Sequence, residues 1–243
     1  MRASGILLPV SSLPGKYGIG SFSEEAYKFV DFLKDSKQQY WQILPIGPTS
    51  YGDSPYQSFS TYAGNPYFIS LEELIEQGLL TEKECDKVDF GDKIDKVDYE
   101  KLYNGRFKLL KKAYKRSNIR EREEFKKFKD ENQYWLNDYA MFMAIKERFK
   151  GQSFDNWAED IKLRWGYSME YYQNELKEEI EFYEFVQYEF YRQWYKLKKY
   201  ANDNGVKIIG DIPIYVAYDS ADVWSHPELF QIDDKGKTIA VAG

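Results

Sequence analysis

The chain has 243 residues, with 34 Lys or Arg against 40 Asp or Glu and a formal charge of −6; a net acidic molecule has no electrostatic reason to seek nucleic acid or an anionic membrane. One cysteine, Cys85, excludes an intramolecular disulfide framework, and the apolar part of Gly5-Ile6-Leu7-Leu8-Pro9 is too short for a secretory signal. No apolar run approaches the roughly 20 residues that span a bilayer, so a cytoplasmic protein of one large domain or two smaller ones is expected.

In chain order, Gly5-Ile6-Leu7-Leu8 reads as a buried strand, followed by a Gly-Pro-Ser loop from Pro9 to Ser21. Ser23 to Ser36 reads as a helix, because Ala26, Phe29, Val30 and Leu33 fall at i, i+3, i+4 and i+7, with Ser21 or Ser23 as its cap. Tyr40 to Leu44 is a second strand, ended by Gly47 and Pro48. Strand, helix and strand with polar loops between them open an α/β fold with a parallel sheet. Helix then follows helix. Ser70-Leu71-Glu72-Glu73 and Thr81-Glu82-Lys83-Glu84 are capping-box starts, and helices are expected over 98–116, 121–129, 131–149 and 168–203. Gly205 ends the last of them as a C′ residue. Val206 to Val216 resumes the buried-strand pattern with Asp211 at its carboxyl end, and Phe230-Gln231-Ile232 with Thr238 to Val241 suggests a hairpin. The organisation expected is therefore strands and loop over 1–70, a helical subdomain over 71–204, and a third strand with its hairpin over 205–243.

Residues 101–129 hold twelve Lys or Arg and three Glu. They alternate with Leu109, Leu110, Phe125 and Phe128 at helical spacing, which favours the solvated face of an amphipathic helix over a nucleic-acid patch. Phe182, Val186, Phe190, Trp194 and Leu197 form an apolar stripe on the last long helix and belong to the core.

The loop from Pro45 to Tyr67 carries four Tyr, one Phe and few charges. Tyr rings offer flat apolar faces with a hydroxyl at the rim, and Asp53, Gln57 and Asn65 add directional hydrogen bonding, a combination suited to a sugar. Tyr51, Tyr56, Phe59 and Tyr62 lack helical periodicity and are the aromatic ligand candidates. One Cys and one His, His226, assemble no metal cluster, and Gly15, Gly18 and Gly20 make no phosphate loop. Carboxylates remain, and glycoside chemistry is the reaction class that works with carboxylates alone. Asp53 and Asp211 lead. For Asp53 a turn-forming role weighs equally, while for Asp211 the apparent strand Ile212-Pro213-Ile214 argues against a simple cap. Asp219 and Asp222 read as caps of a short helix starting near Ser220.

These segments resemble the 4-α-glucanotransferases, also called amylomaltases or disproportionating enzymes, of glycoside hydrolase family 77. The likeness rests on Leu7-Leu8-Pro9-Val10-Ser11-Ser12-Leu13-Pro14-Gly15, on Tyr40-Trp41-Gln42-Ile43-Leu44-Pro45 with Tyr51-Gly52-Asp53-Ser54-Pro55-Tyr56-Gln57-Ser58, and on Gly210-Asp211-Ile212-Pro213-Ile214-Tyr215-Val216 with Ser220-Ala221-Asp222-Val223-Trp224. It implies a (β/α)₈ barrel, of which this chain holds the first three strands, with the helical subdomain inserted between strands 2 and 3. It further implies transfer of α-1,4-glucan segments between maltooligosaccharides, with retention through an Asp nucleophile and a Glu acid/base about 5 Å apart. Neither a cofactor nor a metal is implied.

By the same resemblance Tyr56 faces a sugar near the cleavage point, Asp53, Ser54 and Gln57 shape that wall of the groove, and Tyr51 belongs to an outlying glucan site. Asp211 matches a carboxylate that hydrogen-bonds the sugar beside the scissile bond. The family's nucleophile, acid/base and stabilising Asp follow the fourth, fifth and seventh barrel strands, so all three are expected beyond Gly243 and none among these 243 residues. The chain is expected to be inactive alone and to self-associate through an incomplete barrel. The alternative is a non-catalytic α-glucan-binding protein. A helical interaction protein built on 98–203 would need sustained heptads, which the sequence lacks.

Overall fold

The computed structural model describes residues 2–240 except Tyr51, Asp92, Ile94 and Asp234. Its elements run β1 (Gly5–Leu7), α1 (Glu24–Asp35), β2 (Tyr40–Gln42), α2 (Leu71–Glu76), α3 (Glu82–Asp86), α4 (Tyr99–Arg116), α5 (Glu123–Arg148), α6 (Glu159–Lys162), α7 (Gly166–Glu175), α8 (Lys177–Asp203), β3 (Lys207–Ile209) and α9 (Ala221–Ser225), with short 3-10 turns between them. The chain divides into two compact units: 1–46, 64–122 and 186–212 form the first, and 47–63, 123–185 and 213–243 the second. α8 contributes its first part to the second unit and the remainder to the first. No helix among the described residues is long and apolar enough to cross a membrane.

The first unit holds a parallel sheet in the order β1-β2-β3, with Ile6, Trp41 and Ile208 in register. Trp41 is fully buried, its ring 5.1 Å edge-on from Phe29 of α1, and its Nε1 donates to Leu8 O at 2.8 Å. The expectation of buried strands is corrected here. Strand residues alternate between faces, and the row containing Leu7, Gln42 and Ile209 stays open, with Leu7 55% and Ile209 43% exposed. The third strand also stops at Ile209: Ile212-Pro213-Ile214 is irregular with both isoleucines exposed, and Pro213 has no N–H with which to resume a ladder.

Around the sheet, local signals hold well. α1 buries Ala26, Val30 and Leu33 and starts after Ser23, but the expected serine cap is corrected: no side-chain hydrogen bond caps this helix. Ser70 accepts from Glu73 N, but its own N–H goes to Gln193 and not to Glu73, so the expected capping box is half formed there, whereas Thr81 with Glu84 forms a complete one. Asp98 caps α4, and Gly205 takes φ +78 beyond α8, the left-handed geometry that a helix terminator needs. On the far part of α8, Gln187 and Gln193 are fully buried and serve backbone groups: Gly64 N donates to Gln187 Oε1 at 2.7 Å, Gln187 Nε2 donates to Gly64 O at 3.0 Å, and Ser70 N donates to Gln193 Oε1 at 2.7 Å. Phe190 of the expected apolar stripe meets Phe22 at 5.3 Å.

Two helix boundaries differ from expectation. The segments 121–129 and 131–149 form one helix, α5, because Asp130 and its polar neighbours face solvent and no Gly or Pro interrupts them. Conversely 168–203 is two helices, broken at Leu176, which leaves helical geometry (φ −108, ψ 25) and is buried. Several residues of the basic stretch are ion-paired at the surface, with Lys101 to Asp89 at 2.7 Å and Arg116 to Glu84 at 2.8 Å. Arg106 differs: it is buried and donates to Tyr17 O at 3.3 Å and to Ile69 O, and burial pulls its guanidinium down to about 10.

The second unit packs aromatic rings around α9. Trp224 lies 5.9 Å from both Phe142 and Trp157, and its Nε1 donates to Ile161 O at 3.0 Å. The expected hairpin appears as a single antiparallel bridge, Ile232 to Thr238, tightened by Asp233 N donating to Lys237 O at 2.7 Å. Its last expected residue, Val241, lies outside the described residues, as does Gly243, the expected end of the third segment.

Candidate functional site

Residues 47–63 of the Tyr-rich loop belong to the second unit. Its base is an antiparallel bridge between Thr49 and Ser58, reinforced by Ser50 N donating to Gln57 O at 2.9 Å. Within it Asp53 N donates to Ser50 O at 3.2 Å, Gln57 N to Ser54 O at 3.1 Å, and Tyr56 N to Ser54 Oγ at 3.3 Å. Gly52 and Asp53 take φ +84 and +55. A left-handed pair suits Gly followed by Asp, because Gly has no Cβ and Asp is among the few side chains that tolerate that region. Asp53 is thus a turn former, as weighed from sequence, while partial burial pushes its carboxyl above the usual range. The tip presents Tyr56, 47% exposed, and Gln57, also exposed, with Asp53 and Ser54 half-buried beside them. Tyr51 lies outside the described residues.

The second limb of the loop is locked by its own serines. Ser58 Oγ donates to Ser60 O at 2.7 Å, and Ser60 Oγ accepts from Tyr62 N at 3.1 Å and Ala63 N at 3.2 Å. Phe59 is corrected as a free ligand face, whereas Tyr62 packs on one side and stays 47% exposed. Phe59 turns to α5, its ring 6.5 Å from Phe142, and Tyr62 stacks on Trp135 at 6.1 Å and meets Tyr134 edge-on at 5.4 Å.

The carboxylates after β3 also move from their expected places. Ser220, not Asp219 or Asp222, caps α9, accepting from Val223 N. Asp222 Oδ2 instead accepts from Thr61 N at 3.0 Å, and Asp219 Oδ1 accepts from Phe154 N at 3.1 Å while its other oxygen pairs with Lys146. Sequence reasoning missed Lys146 altogether: it carries no signal beyond a helical position, and its partner is 73 residues away. Asp211 belongs to the first unit, two residues past β3, where its Oδ1 accepts from Ile212 N at 2.9 Å. Among the described residues no strand follows Asp211, so nothing in Ile212-Pro213-Ile214 counts against a local capping role for it. The structure thus brings Asp53, Ser54, Tyr56 and Gln57 together on one turn and holds Asp211 in the other unit. His226 pairs with Glu228 at 3.1 Å at the surface. Among the described residues no group of three His, Cys, Asp or Glu could hold a metal ion.

The architecture is an α/β fold in which a parallel three-stranded sheet is joined to many helices. The chain belongs to glycoside hydrolase family 77, the 4-alpha-glucanotransferases, whose family model matches residues 8–242. It is 52% identical over 224 residues to the 4-alpha-glucanotransferase of Clostridium butyricum, covering 92% of this chain and 46% of that protein. The Streptococcus pneumoniae serotype 4 protein of the same name is 51% identical over 244 residues, covering all of this chain and 48% of that one. The chain therefore spans about half the length of the curated relatives it matches. The solved structure of an amylomaltase from Streptococcus agalactiae in complex with acarbose superimposes with a TM-score of 0.95 at 44% identity, over the whole of this chain and 50% of that one. The amylomaltase from Corynebacterium glutamicum shares the fold, with a TM-score of 0.70 at 21% identity over 93% of this chain and 32% of that one.

Proposed function

We propose that this chain serves the transfer of α-1,4-glucan segments between maltooligosaccharides by a retaining double displacement, and that its part is to form a wall of the glucan groove. The observation that carries the reading is the Tyr56 turn: an exposed ring with a hydroxyl rim, flanked by Asp53, Ser54 and Gln57, on a loop whose base is fixed by backbone hydrogen bonds. Such a surface stacks on a sugar face and reads its hydroxyls without needing a charge on the ligand. Tyr51 extends the wall to an outlying subsite, and Asp211 bonds the sugar beside the scissile linkage.

In this reading β1, β2 and β3 are the first strands of a (β/α)₈ barrel, residues 71–204 are the subdomain inserted between the second and third, and 205–243 carry the third strand and its hairpin. The protein works in the cytoplasm. The residues up to Gly243 hold neither nucleophile nor acid/base and perform no transfer on their own. The open sheet row with Leu7 and Ile209 supports self-association of the isolated chain.

Incubation with maltotriose tests the proposal, with a full-length relative as positive control. No glucose, maltopentaose or longer sugar is expected, while maltoheptaose binds and Tyr56→Ala weakens that binding about tenfold, equivalent to ~1.4 kcal/mol. Transfer products from the pure chain would refute the placement of the catalytic carboxylates. Unchanged binding by Tyr56→Ala would remove the ring from the groove.

A further inference from the structure

Three segments far apart in sequence meet behind the Tyr-rich loop. Ala217 N donates to Ser58 O at 3.2 Å, Ala221 N donates to Phe59 O at 2.8 Å, and Thr61 N donates to the Asp222 carboxylate at 3.0 Å. The segment 217–222 thus takes up the outward-facing backbone groups of the loop's second limb. Ser58 also forms the base of the turn with Thr49, so the hold reaches the tip that carries Tyr56. What anchors 217–222 is Asp219. One of its oxygens accepts from Phe154 N and the other pairs with the Lys146 ammonium.

Lys146 stands in the last turn of α5, a 26-residue helix, and its side chain is only 9% exposed. Its ammonium also donates to Gln152 O at 3.2 Å and lies 5.2 Å from the Phe59 ring centre and 5.7 Å from that of Phe142. A desolvated ammonium over ring faces gains cation–π attraction, and removal of the Asp219 charge leaves the Lys146 ammonium buried without its partner, while Asp219 itself stays partly exposed. The same cation therefore touches both the anchor, through Asp219, and the loop, through Phe59.

We propose that Lys146 and Asp219 are positioning residues that fasten the Tyr56 loop to α5, so that the turn is presented in one geometry to the glucan. The consequence for sugar rests on the function proposed above; the fastening itself does not. A loop held at both limbs loses little conformational entropy when it binds, which raises affinity without adding a contact.

The experiment is hydrogen exchange on the chain and on Lys146→Met, Lys146→Arg and Asp219→Asn, together with maltoheptaose affinity. In Lys146→Met and Asp219→Asn, amides in 49–63 and 217–222 should exchange about tenfold faster while α5 amides before residue 145 keep their protection, as a local opening requires. Lys146→Arg keeps the charge and should stay within about twofold of the parent in the same local opening. Affinity should fall about fivefold in the first two variants, in step with the lost order. Asp219→Asn keeps the acceptor for Phe154 N, so it serves if Lys146→Met does not fold. Unchanged exchange, or acceleration spread evenly over the unit, overturns the fastening. Faster exchange with unchanged affinity overturns the positioning role. A parent chain that binds no maltoheptaose overturns the proposed function and leaves the exchange result to decide the fastening.

Discussion

Replacing Gln187 with Leu removes the side chain that closes both backbone groups of Gly64. Gln187 is fully buried, and its two bonds to Gly64 measure 2.7 and 3.0 Å. Water cannot take its place on the Phe190 side, where even a Cβ on Gly64 would sit 2.0 Å from Phe190 Cδ1. Leucine fills nearly the same volume, so the cost is polar and not a cavity. A buried backbone group left unpaired costs about 1–3 kcal/mol, so the two together cost about 2–6 kcal/mol. For a chain of this size 1 kcal/mol moves the melting midpoint by about 2–4 °C, which gives a fall of roughly 5–20 °C. Thermal melts followed by far-ultraviolet circular dichroism measure it. Gln187→Glu is the informative companion: it still accepts from Gly64 N but cannot donate to Gly64 O, and it buries a carboxylate. Burial raises that carboxyl, so its stability should recover as the pH falls and the carboxyl protonates. A loss below about 1 kcal/mol in Gln187→Leu would refute the reasoning, because it would mean that Gly64 finds other partners.

Two further outcomes follow from the same structure. Gly64→Ala overpacks against Phe190 and should cost at least about 1–3 kcal/mol; urea midpoints should show part of this recovered in Gly64→Ala/Phe190→Leu, and equal, additive losses would refute the clash. The Arg116 guanidinium holds the Glu84 carboxyl down to about 2, from an ordinary 4.5. Its folded value lies below its unfolded one, so the stabilisation is full above about pH 4.5 and is lost as the pH falls towards 2. In Arg116→Gln the fall in melting temperature across that window should become shallower, and an identical slope would show that Glu84 is held by other groups.

What could be read in advance was local. The helix α1 shows itself in the spacing of Ala26, Val30 and Leu33, α3 in the capping box of Thr81 and Glu84, and the end of α8 in Gly205, because each signal and its effect lie within one or two turns of chain. The break at Leu176 has no such signal: neither Gly nor Pro marks it, and the buried side chain shows that packing set it. Ile212-Pro213-Ile214 has the composition of a strand but lies beyond the last residue paired with a neighbour. At the candidate site, the grouping of Asp53, Tyr56 and Gln57 on one polar, aromatic turn was legible in the sequence, because all three lie within five residues. Its attachment was not, since Lys146, Asp219 and Asp222 act through partners 65 to 161 positions away, and a carboxylate before a short helix reads locally as a cap.

The register of the small sheet also dictates an order of assembly. β1 and β2 are joined through one helix, whereas Tyr40 pairs with Lys207 across nearly the whole intervening chain. Loop-closure entropy grows only slowly with length, so the long closure costs little extra in equilibrium stability, but such distant pairing is slow. At a synthesis rate of about 5–20 residues per second, β3 leaves the ribosome roughly 8–33 s after β2. During that interval one edge of β2 has no mate from its own chain, and its unpaired backbone is open to chaperones or to a neighbouring nascent polypeptide. The helices α2 to α8 emerge in the meantime, and their formation shortens the distance that β3 must travel to reach its place.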